Sequence, residues 1–278
     1  MLAVDRWPSL DRPLFVVALA GWVDAGVAGS GAANALVDLL QDQDEFARYD
    51  LSDLLDLQQT RPTARFEEGG MRVIDWPELT FVAGRAGRDV VVCRGPEPSL
   101  RWPTVAREIV EFAGRLGVTE AATLGGMPAL TSHRRPPSVL TTATSRSLAQ
   151  EVGPLRPDYA GPTGMQTVVQ RAFGEAGIGC VGLWVQVPQY VSGSPSPPAV
   201  QALLARLAEI GRLDLRLDGL DARAVAYLER VEAGLASRPD VKEIVDRLDD
   251  SSAPEPPDGG ALVAEIERFL RSQGESEA

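Results

Sequence analysis

The side chains able to do chemistry are few. The 278-residue chain has one histidine, His133, one lysine, Lys242, and two cysteines, Cys93 and Cys180. A phosphate-binding Walker loop needs a lysine and a hydroxyl after its second glycine. At that spacing Gly21 and Gly26 are followed by Val27 and Ala28, so this turn lacks the group that reaches phosphate. A Schiff-base lysine would have to be Lys242, in an acidic C-terminal stretch. Two-histidine zinc centres are impossible, and two isolated cysteines cannot build a structural zinc site. A Ser-His-Asp triad would run through His133 in "LTSHRRPP", and no G-x-S-x-G elbow exists to pair with it. Carboxylates, arginines, hydroxyls and backbone amides remain. No metal and no cofactor is expected, and a non-catalytic role is favoured over an enzyme.

Those groups must be positioned by a fold whose outline is readable. "LFVVALA" (14–20) is a short continuous apolar run ending at glycine, the pattern of a strand buried on both faces. Residues 26–40 read as a helix whose glycines and alanines allow close packing. "RPTARFEEGGMRVIDWP" (61–77) reads as a hairpin turning at Gly69-Gly70. "LTFVAGRA" and "DVVVCRG" are two further strands. Val105, Ile109, Phe112 and Leu116 share one helical face. "EAATLGGM" is a strand ending at Gly125-Gly126, and "SVLTTATS" is a candidate strand. A helix over 163–177 has Thr163 as its expected N-cap. A long strand (178–191) ends at Pro188, and a helix over 197–211 ends at Gly211.

Alternating strands and helices predict a three-layer α/β/α core with a mainly parallel sheet over residues 1–212. Residues 213–250 read as an acidic helical hairpin, joined near Arg238-Pro239 and packed on the core. Leu220, Val225, Leu228, Val231 and Leu235 form one expected buried stripe; Val241, Ile244, Val245 and Leu248 form another. Residues 251–260 read as a linker and 261–270 as a short last helix.

Ligands of open α/β sheets sit beyond the carboxyl ends of the strands. The candidate pocket rim there is Gly21, Trp22, Asp24, Gly125, Gly126, Met127, Thr163, Gly164 and Tyr190. Glycine amides beside a helix N-terminus can hold an anion without lysine. Each residue also has a plainer reading. Asp24 caps the helix over 26–40, Trp22 packs, and Gly125-Gly126 turns a corner. His133 and Arg134-Arg135 are solvated loop residues with no orienting carboxylate in view. Glu67-Glu68 and Asp249-Asp250 are surface charge. Cys93 and Cys180 are buried free thiols.

The net charge of −12 argues against a nucleic-acid partner, and the excess is greatest after residue 212. No apolar run approaches the ~20 residues of a membrane span. The N-terminus has no signal-peptide layout, which points to the cytoplasm.

The order Gly21-Trp22-x-Asp24-Ala25-Gly26, Arg61-Pro62, "TLGGMPA" (123–129), "GPTGM" (161–165) and Pro188 resembles the proteasome assembly chaperone 2 family, in its actinobacterial branch. The resemblance spans roughly residues 12 to 250. It implies an α/β/α core similar to nucleoside phosphorylases, without an established shared activity, and a homo-oligomer, often a trimer. Some relatives bind proteasome subunits through a C-terminal hydrophobic-Tyr-any tail. This sequence ends Glu-Ser-Glu-Ala and departs from that pattern. The expected function is a protein-binding or chaperone-like module. The alternative is a small-molecule binder or enzyme using a phosphorylase-like pocket. A deep cleft ringed by Trp22, Asp24, Gly126 and Thr163 would favour the alternative; a filled one would favour the module.

Overall fold

The computed structural model describes residues 2–153 and 160–250; the linker and last helix expected over 251–270 lie outside them. Strands β1 (Leu2–Val4) and β2 (Leu14–Ala20) are followed by helix α1 (Ala28–Leu39) and strand β3 (Gln41–Asp50). The hairpin strands β4 (Thr63–Phe66) and β5 (Arg72–Asp75) lead into β6 (Glu78–Ala86), β7 (Arg88–Pro96) and α2 (Trp102–Arg115). Then come β8 (Glu120–Ala129), β9 (Val139–Ala143), α3 (Arg146–Val152), α4 (Met165–Glu175) and β10 (Gly179–Pro188). Helices α5 (Pro197–Gly211), α6 (Asp218–Leu235) and α7 (Pro239–Asp250) complete the described chain.

The main sheet runs β1-β3-β6-β7-β2-β8-β10-β9. Its central strands β7, β2, β8 and β10 are mutually parallel, and the pairs outside them are antiparallel. Alternation along β2 builds both cores. Phe15, Val17 and Leu19 face α2 and α4, while Leu14, Val16 and Ala18 face α1 and α5. Each residue from Leu14 to Leu19 is thus buried under a helix layer, which is why this run is apolar.

The two faces are filled differently. The α2/α4 side holds an aromatic cluster, with Phe81 edge-on to Phe112 at 4.8 Å and Phe15 5.8 Å from Phe173. The α1 side is built on small residues. Ala28, Ala32 and Ala33 are fully buried, and a Cβ on Gly29 would lie 2.7 Å from the Leu124 carbonyl oxygen. Small residues on α1 therefore set how close this helix sits to β8. Cys93 and Cys180 are buried free thiols, and burial raises both pKa values.

Several expectations need correction. Gly125-Gly126 does not turn a corner: β8 continues through both to Ala129, in register with β10. Gly126 is also not at positive φ; it is small because a methyl group there would overlap the Ala25 carbonyl. Strand β3 escaped the sequence reading because only Phe46, Ala47 and Tyr49 of its ten residues are buried, and two irregularities break its register. The hairpin β4–β5 forms as expected, with Gly69 and Gly70 both at positive φ, but as a separate, exposed two-stranded sheet. Val225 and Ile244 lie outside the buried faces of α6 and α7; Ala224, Tyr227, Leu235 and Val245 are the buried residues. No helix among the described residues is long and apolar enough to cross a membrane.

The close approach of α1 to β8 is testable. Gly126→Ala should destabilise the fold by about 2 kcal/mol, because the added methyl meets rigid backbone. Gly114→Ala, in helix α2 with open space around it, should be neutral or stabilise by about 0.5–1 kcal/mol. Urea denaturation of the two variants decides it; equal midpoints would remove the packing argument.

Candidate functional site

Strand β2 ends at Ala20, and the turn after it carries the expected rim. Trp22 is 60% exposed and so is not a packing residue. Asp24 turns back on the chain. Its Oδ1 accepts from the amides of Gly29 at 2.7 Å and Ser30 at 3.1 Å, and its Oδ2 accepts from Ser30 Oγ at 2.5 Å. This is the capping role read from the sequence, performed on the first turn of α1. Burial raises the Asp24 pKa, and these hydrogen bonds oppose the rise. The turn is pinned to β8 by Gly126 N donating to Val23 O at 2.9 Å.

The residue that gathers this site was missed by sequence reasoning. Glu97, just after β7, accepts from Trp22 N at 3.0 Å through Oε2 and from Met165 N at 2.5 Å through Oε1. Its own amide donates to Ala20 O at 2.8 Å. The glycines make room for it: a Cβ on Gly21 would overlap the Glu97 side chain, and one on Gly164 would lie 3.1 Å from Oε1. Thr163 is exposed and does not cap α4; Glu97 supplies the anion at that helix N-terminus from across the site. Gln166, fully buried one residue into α4, donates to Leu19 O at 2.9 Å. The only sequence signal for Glu97 was a carboxylate directly after a strand end, which single-chain patterning does not distinguish from surface charge.

Gly21, Trp22, Asp24, Gly125, Gly126 and Gly164 are therefore brought together around Val23 and Glu97. Met127 is half-buried further along β8. The amides suited to an external anion are engaged by the chain's own carboxylates, Asp24 on α1 and Glu97 on α4.

Tyr190 belongs to a second site. It sits in a short 3₁₀ turn after β10 and contacts His133, whose side chain is 2% exposed. Tyr190 Oη accepts from His133 N at 2.8 Å and lies 2.6 Å from His133 Nδ1. On the other side of the ring, Nε2 is 3.1 Å from Glu232 Oε1 in α6. This is the orienting carboxylate that seemed absent, and it comes from 99 residues away. Arg134 is not solvated alone either. Its Nε pairs with Glu232, and its Nη1 lies 2.9 Å from Asp246 and 2.8 Å from Asp249 in α7. Arg135 Nη2 donates to the Asp249 carbonyl at 2.6 Å. Asp249 is thus part of an inter-element clamp and not free surface charge. The loop after β8 fastens the acidic hairpin α6–α7 to the core.

The electrostatics follow from this clamp. Burial lowers the His133 pKa, with Glu232 pulling the other way. The hydrogen bond from Arg134 holds Glu232 below the ordinary carboxylate range. Asp246 is lowered by Lys242 and Arg134, and Asp249 is lowered by Ser132 and Arg134 against its own burial. Beside the clamp, a cleft of about 480 Å³ opens between Tyr190, Val191, Pro195 and Pro197 on the core and Tyr227, Val231, Leu235 and Val241 on α6–α7.

The family model described as "PAC2 family" matches residues 18–234. A PAC2 family protein from Streptomyces avermitilis is 37% identical with a TM-score of 0.78, covering 84% of this chain and 99% of its own. The proteasome-assembly chaperone homologue of Mycobacterium tuberculosis is 34% identical with a TM-score of 0.76, over 84% of this chain and 99% of its own. The Pyrococcus furiosus archaeal proteasome activator PbaB is 17% identical with a TM-score of 0.70, over 84% of this chain and 97% of its own, a likeness of fold. None of the curated proteins compared matches the chain.

Two predictions come from the clamps. Glu97→Ala leaves the Trp22 and Met165 amides without their acceptor and should cost about 2 kcal/mol. It should also speed amide exchange at the start of α4; unchanged exchange there would show that Glu97 is dispensable. The second concerns acid. A histidine whose folded pKa lies below its unfolded value near 6.5 contributes stability above that value and loses it as pH falls. The depressed carboxylates of Glu232, Asp246 and Asp249 extend the loss below pH 5. The urea midpoint should therefore fall between pH 7.5 and 5.5, and His133→Gln should flatten that interval. A wild-type midpoint that rises on acidification contradicts the assignment.

Proposed function

The chain belongs to the PAC2 family, and from that membership we propose that it is a non-catalytic, protein-binding module of chaperone-like type, acting in the cytoplasm as a homo-oligomer. The observation that carries this is the filled strand-end site. A nucleotide- or phosphate-binding member of such a fold would present free amides there, whereas here Asp24 and Glu97 occupy them. The similar chain from Mycobacterium tuberculosis, described as a proteasome-assembly chaperone homologue, supports a protein partner of that class.

Self-association has a candidate surface in the hairpin β4–β5. Phe66, Met71, Ile74 and Trp76 are each at least half exposed. A two-stranded hairpin is marginal alone in water. Copies of a chain with net charge −12 repel, but this segment is locally neutral, with Arg61, Arg65 and Arg72 against Glu67, Glu68 and Asp75. Apolar contact between hairpins of neighbouring copies would bury these side chains without opposing like charges.

Light scattering coupled to gel filtration tests the assembly. The full chain should run as an oligomer, a trimer by resemblance, and the double variant Phe66→Ser with Trp76→Ser should run as a monomer with its melting transition retained. Co-expression with actinobacterial proteasome α and β subunits, read by native mass spectrometry, tests the partner class. A complex with α or β subunits is expected; a stoichiometric small molecule and no protein complex would instead support the pocket reading.

A further inference from the structure

The cleft between the core and α6–α7 has the size and lining of a small-molecule site. Its volume of about 480 Å³ falls within the range of about 300–1,000 Å³ typical of such sites. The lining is mainly apolar, with Val191 and Pro195 from the core and Val231, Leu235 and Val241 from the hairpin. Two tyrosines join them, and both have their hydroxyls withdrawn. Tyr190 Oη is committed to His133, and Tyr227 Oη is buried. What these tyrosines offer a ligand is therefore ring surface.

Two cations, Arg230 and Arg238, stand at the same cleft. Arg238 is paired with Asp240 at 3.2 Å. Among the described residues, no hydrogen bond or ion pair engages the Arg230 guanidinium. The nearest carboxylate along α6, Glu232, is turned to the clamp with His133 and Arg134. One free guanidinium beside an apolar hollow suits a ligand with one carboxylate. A second acid group would meet apolar wall, where burying an unpaired charge is costly. We propose that this cleft binds a medium-chain aliphatic monocarboxylate, with its chain against Val191, Val231 and Leu235 and its carboxylate on Arg230. A flexible chain follows a wall of prolines and branched side chains.

The clamp prepares the site. Tyr190 is at once a cleft wall and the hydroxyl partner of His133, and Glu232 directly follows the wall residue Val231. The two walls are thus held in place before a ligand arrives, which reduces the ordering cost of binding. A ligand touching both walls in turn favours the docked hairpin by mass action. The cleft shares no residue with the Glu97 site or with β4–β5, so this inference does not depend on the partner proposed above.

Isothermal titration of the full chain with decanoate tests it, with decanol as the uncharged probe. Decanoate should bind saturably, one molecule per chain, at submillimolar concentration. Decanol should bind at least about tenfold more weakly. Arg230→Glu should weaken decanoate at least about tenfold and leave the melting temperature unchanged, because this side chain is exposed. Hydrogen exchange over residues 227–235 should slow when decanoate is added, with β2 amides unchanged. Absence of saturable decanoate binding overturns the proposal. So does equal affinity for decanol, or decanoate binding that survives Arg230→Glu, which would place the acid elsewhere on the protein.

Discussion

The closeness of α1 to β8 is the constraint from which the rest of the molecule follows. Gly29 lies over the Leu124 carbonyl, and Gly126 lies under the Ala25 carbonyl, at distances that leave no room for a Cβ. With helix and strand in that contact, the turn between β2 and α1 has to run flat across the end of β8. There Val23 O accepts from Gly126 N, and Asp24 is left facing the first turn of its own helix. The turn is therefore as rigid as the core beneath it. A larger residue at either glycine would have to move backbone, which a close-packed interior resists far more than it resists a rotamer change.

That rigid turn explains why a phosphate-like layout lacks phosphate chemistry. Strand, glycine turn and helix N-terminus are all present, and the helix ends have their usual need for acceptors. The need is met internally. Asp24 serves α1, and Glu97 reaches across to serve α4 and the Trp22 amide together. A carboxylate held in place from another strand satisfies the same amides that a bound anion would, and it does so without the cost of capturing a ligand from solution. It also ties β7, the β2–α1 turn and α4 into one unit.

The opposite arrangement governs α6–α7. Ala224, Tyr227, Leu235 and Val245 of this acidic hairpin are buried, while Val225 and Ile244 remain exposed. It is also held by a polar clamp in which one short loop, His133 to Arg135, meets Glu232, Asp246 and Asp249. Such a clamp is sensitive to pH and to salt because its groups are partly exposed. The molecule thus joins a core fixed by packing to an appendage fixed by packing and charge together, with an apolar cleft between the two.

The sequence alone determined the parts that local chemistry controls. The uniform apolarity of "LFVVALA" marked a strand covered on both sides, the Gly-Ala run marked a helix that must pack closely, and Gly69-Gly70 marked the hairpin turn. The order of the motifs marked the family. Asp24 was legible as a cap because its partners lie five and six residues away. Only the tertiary structure decided what depended on distant partners. Strand β3 is polar because most of its side chains face away from both cores. Thr163 lost its capping role to Glu97, 68 residues away from the amide it serves. His133 became a buried, carboxylate-oriented ring only because Glu232, 99 residues on, is folded against it. Local spacing records which face of an element is apolar; it carries no record of which side chain from elsewhere will arrive to satisfy a polar group.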